Sequence, residues 1–135
     1  MPTLLDFTAG VATGAGGNTL SGGQIVDAVT SGPPVVVHVN PDTSLALSFS
    51  GCGRIAHRVL PVQDTEISII GGVSGLFQEM LVMVQQSAMG NAVVALPSGI
   101  VWQGAAPFID IRAGAVTFFR LWTLDGGNTI YGKSI

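Results

Sequence analysis

The sequence predicts an all-β fold: a β-sandwich or jelly roll of about eight antiparallel strands, preceded by an extended Gly-rich arm. Three observations carry that expectation. From Pro33 onward, short runs alternate apolar and polar side chains with a period of two, as a strand with one buried face requires. Clusters of Gly, Pro, Asn and Asp interrupt these runs roughly every 8–12 residues. No segment combines helix-forming residues with a polar face at 3.6-residue spacing.

The arm comes first. Residues 1–34 are rich in Gly, Ala, Thr and Ser, with Gly14, Gly16, Gly17, Gly22 and Gly23 as breakers. Fixing each residue costs roughly 1–2 kcal/mol of backbone entropy. The apolar islands Leu4-Leu5-Asp6-Phe7 and Ile25-Val26-Asp27-Ala28-Val29 return only ~1.5–3 kcal/mol per buried side chain. Such a segment needs a partner. Leu4, Leu5, Phe7, Ile25 and Val26 are its expected anchoring residues on a neighbouring chain.

The sandwich is expected over residues 35–135. Val35 to Val39 is a short apolar run closed by the Pro41-Asp42 turn. In Ser44 to Ser50, Leu45, Leu47 and Phe49 share one face. After Gly51-Cys52-Gly53, Arg54 to Leu60 alternates again, with Ile55, His57 and Val59 together. Glu66 to Ile70 is a further strand, ended by Gly71-Gly72. Leu76 to Gln86 contains helix formers but no polar face; we read it as a long strand leading by a hairpin into Ala92 to Leu96. Leu96-Pro97-Ser98-Gly99 and Gly104-Ala105-Ala106-Pro107 are turns. Ala115 to Leu124 is a strand, and Asp125-Gly126-Gly127 turns it into a last strand, Asn128 to Tyr131. Ala115 to Leu124 is apolar on both faces: Val116, Phe118, Trp122 and Leu124 on one, Phe119 and Leu121 on the other. Such a strand is central between two layers or lies at a subunit contact. Phe119, Leu121 and Trp122 are therefore expected near a subunit interface.

Composition supports association. The 135 residues make one domain of 13.8 kDa, burying about two-thirds of the unfolded surface. Hydrophobic residues are 47% of the chain and charged ones 10%, against a typical ~25%. A small monomer cannot hide that much apolar surface, so a partner is expected, another copy of the chain in a homotrimer. The first 53 residues hold Asp6, Asp27 and Asp42 and no Lys or Arg; all five bases follow. No basic stripe is visible along the chain, so no nucleic-acid partner is expected. The N-terminus lacks the pattern of a signal peptide, and no apolar run reaches the ~20 residues of a membrane helix, so no membrane partner is expected. With Cys52 alone, no internal disulfide forms.

Catalytic and cofactor chemistry is not expected. Gly127 to Ser134 fits the phosphate-loop pattern GxxxxGK[ST], but that loop works by opening a helix, and one residue follows Ser134 here. His38, His57 and Cys52 lack metal-ligand spacing. Cys52 beside His57 is a nucleophile–base pair in principle, yet glycines on both sides mark Cys52 as a turn residue. The eight carboxylates show no paired spacing for acid–base work.

The last third also carries a recognisable order: Leu96-Pro97, Val101-Trp102, Gly104, Ala106-Pro107, an apolar strand, Asp125-Gly126-Gly127, then Tyr131-Gly132. It resembles the C-terminal module of bacteriophage fibre, appendage and other virion-surface proteins. The likeness covers Gln85 to Gly132 well, Asn40 to Val84 loosely, and the first 39 residues not at all. Ala105 stands where the family has a second Gly, and Ile130 where it has Trp. The resemblance implies Trp102, Gly104, Pro107, Asp125, Gly126, Gly127, Tyr131 and Gly132 as family-motif positions. It also implies a non-enzymatic virion structural protein, made in the bacterial host cytoplasm and carried on the virion surface. A trimeric capsid decoration (cement) protein bound to the major capsid protein is expected; a tail fibre or appendage tip binding a host receptor is the alternative. A free-standing carbohydrate-binding module would rely on Trp102, Trp122 and Tyr131 for stacking, which core packing explains equally.

Overall fold

Nine strands and no helix make up the part of the chain that a computed structural model describes, residues 32–135. The arm residues Leu4, Leu5, Phe7, Ile25 and Val26 lie outside the described residues. From Val35 the chain winds back and forth between two sheets. β1 (Val35–Val39), β3 (Arg54–Leu60) and β5 (Gln78–Gln85) lie side by side in one sheet. β2 (Ser44–Ser48), β4 (Thr65–Ile70) and β6 (Val94–Ala95) lie side by side in the other. Each circuit returns the chain parallel to its predecessor, Val35 against Ala56, Ser44 against Glu66, Arg54 against Glu79. The ending is different. β8 (Val116–Thr123) runs antiparallel to β5 and to β9 (Tyr131–Ser134), and β7 (Val101–Trp102) joins β9 in parallel. The larger sheet has the order β1-β3-β5-β8-β9-β7, the smaller β2-β4-β6.

The all-β expectation therefore holds, but the antiparallel jelly roll is corrected to a mixed six-stranded sheet and an all-parallel three-stranded one: β1, β2, β3, β4 and β6 make only parallel pairings. The physical reason is that alternation reports which side chains face the core, not the direction of the neighbouring strand. Residues 40–43 and 61–64 read as hairpin-length turns, yet they carry the chain across to the opposite sheet. The expected hairpin between Leu76–Gln86 and Ala92–Leu96 is replaced in the same way. The Gln86 side chain donates to the Ala92 carbonyl (2.8 Å) and accepts from the Ala92 N–H (3.1 Å), and the chain then passes to the smaller sheet. The last strand starts at Tyr131, because Leu124 to Ile130 are spent on the loop. There Gly126 and Gly127 adopt φ of 73° and 87°, and Thr123 Oγ1 binds the Gly127 N–H and the Thr129 carbonyl at 2.9 Å.

Inward side chains of both sheets meet in one core: Leu47, Phe49, Ile67 and Val94 from the smaller-sheet side, Val59, Met80, Val82, Val84, Phe119 and Leu121 from the larger. Each such burial is worth ~1.5–3 kcal/mol. Phe119 and Leu121 are fully buried within their own chain, so the expectation that they reach a subunit interface is corrected. The strand is two-faced because it is central, flanked by β5 and β9, with its second apolar face turned outward. Gln78, also fully buried, accepts from the Val73 N–H (2.7 Å) and donates to the Ser50 and Gly71 carbonyls (3.1 Å each), tying two loops to β5. Buried amides at both ends of β5 thus satisfy backbone groups that the sheets leave unpaired.

Candidate functional site

Register places a broad face on the outside of the six-stranded sheet that no other described element covers. Reading across the strands, Arg54, Glu79, Trp122, Tyr131 and Val101 form one row. Val35, Ala56, Leu81, Arg120 and Lys133 form the next, and Val37, Arg58, Met83 and Phe118 the one after. Val39, Leu60, Gln85 and Val116 lie beyond. Aliphatic and aromatic side chains dominate, and Val35, Val37, Val39, Leu81, Val116 and Phe118 are all exposed. An apolar face of this extent marks an interaction site more often than a solvated surface.

Its charged part is ordered. The Glu79 carboxylate bridges Arg54 (Nε–Oε1 3.3 Å) and Arg120 (NH1–Oε2 3.1 Å) from the strands on either side. This supplies the partner that Arg120 needs. Both arginines are largely in water, so each pair contributes about 0–1 kcal/mol and serves to position side chains more than to stabilise the fold. A depression of about 410 Å³ opens over these groups, lined by Arg54, Ala56, Glu79, Leu81, Arg120 and Ile135. Beside it, Trp122 and Tyr131 stack with ring centroids 6.2 Å apart and planes 21° from parallel. Trp122, of the three expected interface residues, is the one on this outward face.

No basic stripe could be read along the chain, yet pairing gathers one. Arg54, Arg58, Arg120 and Lys133 come from three strands and share this face with Glu79 as its acid. With Glu79 engaging two of the arginines, Arg58 and Lys133 are left between apolar rows. That mixture suits a protein surface; a phosphate backbone would want the cations without the aliphatics.

The family-motif residues come together elsewhere, around the last three strands. Trp102 on β7 meets Phe119 edge-on at 6.2 Å and lies against Gly132 of β9, where any Cβ would collide with the indole. Backbone bonds from Val101 N–H to the Ile130 carbonyl (2.8 Å) and from Gln103 N–H to the Gly132 carbonyl (2.7 Å) hold β7 in place. Gly104 turns the chain at φ 92°. Asp125 Oδ1 accepts from the Thr129 N–H (2.9 Å), and that bond holds its carboxyl below the usual carboxylate range. Pro107 lies in the segment between β7 and β8. Most of the motif therefore builds this corner of the sandwich, and Tyr131 alone reaches the outer face.

The remaining candidates resolve as follows. His57, buried between the sheets, has its Nε2 2.9 Å from the Ser48 carbonyl and its Nδ1 2.9 Å from His38 Nε2. A carbonyl only accepts, so His57 carries its proton on Nε2 and His38 donates to Nδ1. Burial, then the His57 charge, holds His38 below its ordinary value; burial lowers His57, opposed by the Ser48 bond. This pair was hidden in the sequence because 19 residues separate its members. Cys52 is exposed in the turn before β3. Among the described residues, no three His, Cys, Asp or Glu side chains group as a metal site. Gly127 to Ser134 runs into strand β9, with Lys133 opposite Arg120, so the phosphate-loop pattern opens no helix.

No protein-family model matches the chain, and no curated protein or solved structure shows significant similarity to it.

Proposed function

We infer that this chain is a non-enzymatic bacteriophage virion structural protein, a trimeric capsid decoration protein that binds the head shell through other virion proteins and its own copies. The observation that carries the reading is the broad aliphatic and basic outer face of the six-stranded sheet, which fits an assembly contact. The order of residues from Leu96 to Gly132, similar to that of phage virion-surface modules, supplies the virion context. A second reading, an appendage tip that binds a host glycan, is favoured by the stacked Trp122–Tyr131 pair beside Arg54 and Glu79, an arrangement suited to a sugar ring.

Electron microscopy of phage particles labelled with an antibody against the protein tests both. Hundreds of labels over the head are expected for decoration, and a few at the tail for an appendage. Particles without label, while the protein accumulates in infected cells, would overturn the virion assignment.

A further inference from the structure

The described charges are sorted onto opposite sides of the sandwich. Four of the five bases lie on the outer face of the six-stranded sheet, and the fifth, Arg112, is paired with Asp110. Three acids gather on the other side. Glu66 projects from β4 opposite Ser44 of β2, and the same register brings Asp42 and Asp64 to corresponding points just before these strands. Asp42, Asp64 and Glu66 are exposed, and none forms an ion pair among the described residues. Asp64 Oδ1 accepts from the Val93 N–H at 3.0 Å, which sets exposed Val93 beside it. Val62 and Ile70, from the same circuit of chain, are also exposed, and Ser44, Ala46, Ser68 and Ala95 keep the surface between them low.

The two sides complement each other and neither complements itself. A two-fold contact of the basic face with its own copy would set Arg58 and Lys133 against like charges. A head-to-tail contact meets the basic side chains with acidic ones and covers Val35, Val37, Val39 and Phe118 with an apolar-edged surface. We propose that copies of this chain associate head-to-tail, the outer face of the six-stranded sheet of one copy receiving the Asp42–Asp64–Glu66 side of the next. The proposal rests on the reading above only in expecting self-association. Each copy offers one patch and receives the other on its far side, so the contacts propagate as a filament or close only as a large ring, not at three copies. Apolar burial supplies the affinity, and the charges select the side and register, so assembly weakens as salt rises.

Sedimentation velocity of the full chain at micromolar concentration tests it. Two charge-swapped proteins are needed: Arg58→Glu with Lys133→Glu on the face, and Asp42→Lys with Glu66→Lys on the other side. Wild type is expected to assemble, and each swapped protein alone to bind itself at least about tenfold more weakly. Mixing the two is expected to restore assembly, because the acidic face of one then meets the basic side of the other. A misfolded variant cannot produce that rescue. Monomeric wild type, a swap without effect, or a mixture that stays monomeric would overturn the proposal. If the face swap disrupts assembly and the Asp42/Glu66 swap does not, a different occupant takes the face, residues 1–31 with Asp6 and Asp27 included, and the head-to-tail arrangement falls. Sedimentation reads contacts between copies without a shell, so its failure is distinct from a failure of the virion assignment.

Discussion

Lowering the pH from about 7.5 to 5 is expected to destabilise the domain through two imidazoles. His57 donates its Nε2–H to the Ser48 carbonyl, which leaves Nδ1 as an acceptor that the His38 Nε2–H fills at 2.9 Å. A proton added to Nδ1 of His57 would turn that acceptor into a donor facing another donor, inside the space between the sheets. Burial and mutual repulsion thus keep His38 below its ordinary 6.5, and burial does the same to His57. The unfolded chain takes up protons at the ordinary value and the folded one only below it. In the window beneath pH 6.5 the unfolded state therefore binds more protons, and stability falls as pH falls. The contribution is complete above the unfolded value and is lost as pH drops through the folded ones. The slope is bounded by one proton per ring, about 1.4 kcal/mol per pH unit for each histidine and about 2.7 for the pair. Asp110, held at about 2 by its bonds to Arg112, and Asp125, also lowered, lose their pairing at more acid pH and leave this window clear. Urea unfolding at several pH values, in the wild type and in His38→Gln/His57→Gln, measures the effect. The chain has two histidines, so the double variant removes both imidazoles from the window. Stability that stays level from pH 7 to 5, or falls equally in the double variant, would refute the reasoning.

Three further outcomes are expected from denaturation measurements. Gln78→Leu leaves the Val73 N–H and the Gly71 carbonyl without their partner, while the Ser50 carbonyl keeps the Gly53 N–H; at ~1–3 kcal/mol for each group left unsatisfied, a loss of more than about 2 kcal/mol is expected, and a loss under about 0.5 would mean that water replaces the amide. Gly72→Ala drives a methyl into the backbone of Gly126, where no flexible side chain is available to yield, and is expected to cost ~1–3 kcal/mol or more in thermal and urea unfolding. Phe119→Ala is expected to cost ~3–5 kcal/mol, whereas Phe118→Ser on the exposed face costs ~0.5 or less and acts on assembly instead; the reverse order would return Phe119 to an interface role.

Side-chain alternation determined where most strands lie and which way they face. Leu45, Leu47 and Phe49, and likewise Ile55, His57 and Val59, turn inward as the period of two requires, because a strand that hides one face must repeat its apolar residues at that period. The glycines of the Asp125-Gly126-Gly127 turn were legible for a similar local reason: positive φ is cheap only without a Cβ. Partner and direction were decided by tertiary structure alone. Nothing in residues 40–43 or 61–64 distinguishes a hairpin from a crossing between sheets, since both need only a short polar turn, and the outcome depends on which distant strand offers an edge. The same dependence set the fate of Ala115 to Leu124. Its two apolar faces were evident, but which one faced the core followed from pairing with β5, which put Phe119 inside with Val82 and Phe118 outside with Met83. The candidate surface was invisible for that reason as well. Arg54, Arg58, Arg120 and Lys133 are spread over 80 positions of sequence, and only the register of four adjacent strands, β3-β5-β8-β9, makes them neighbours on one face.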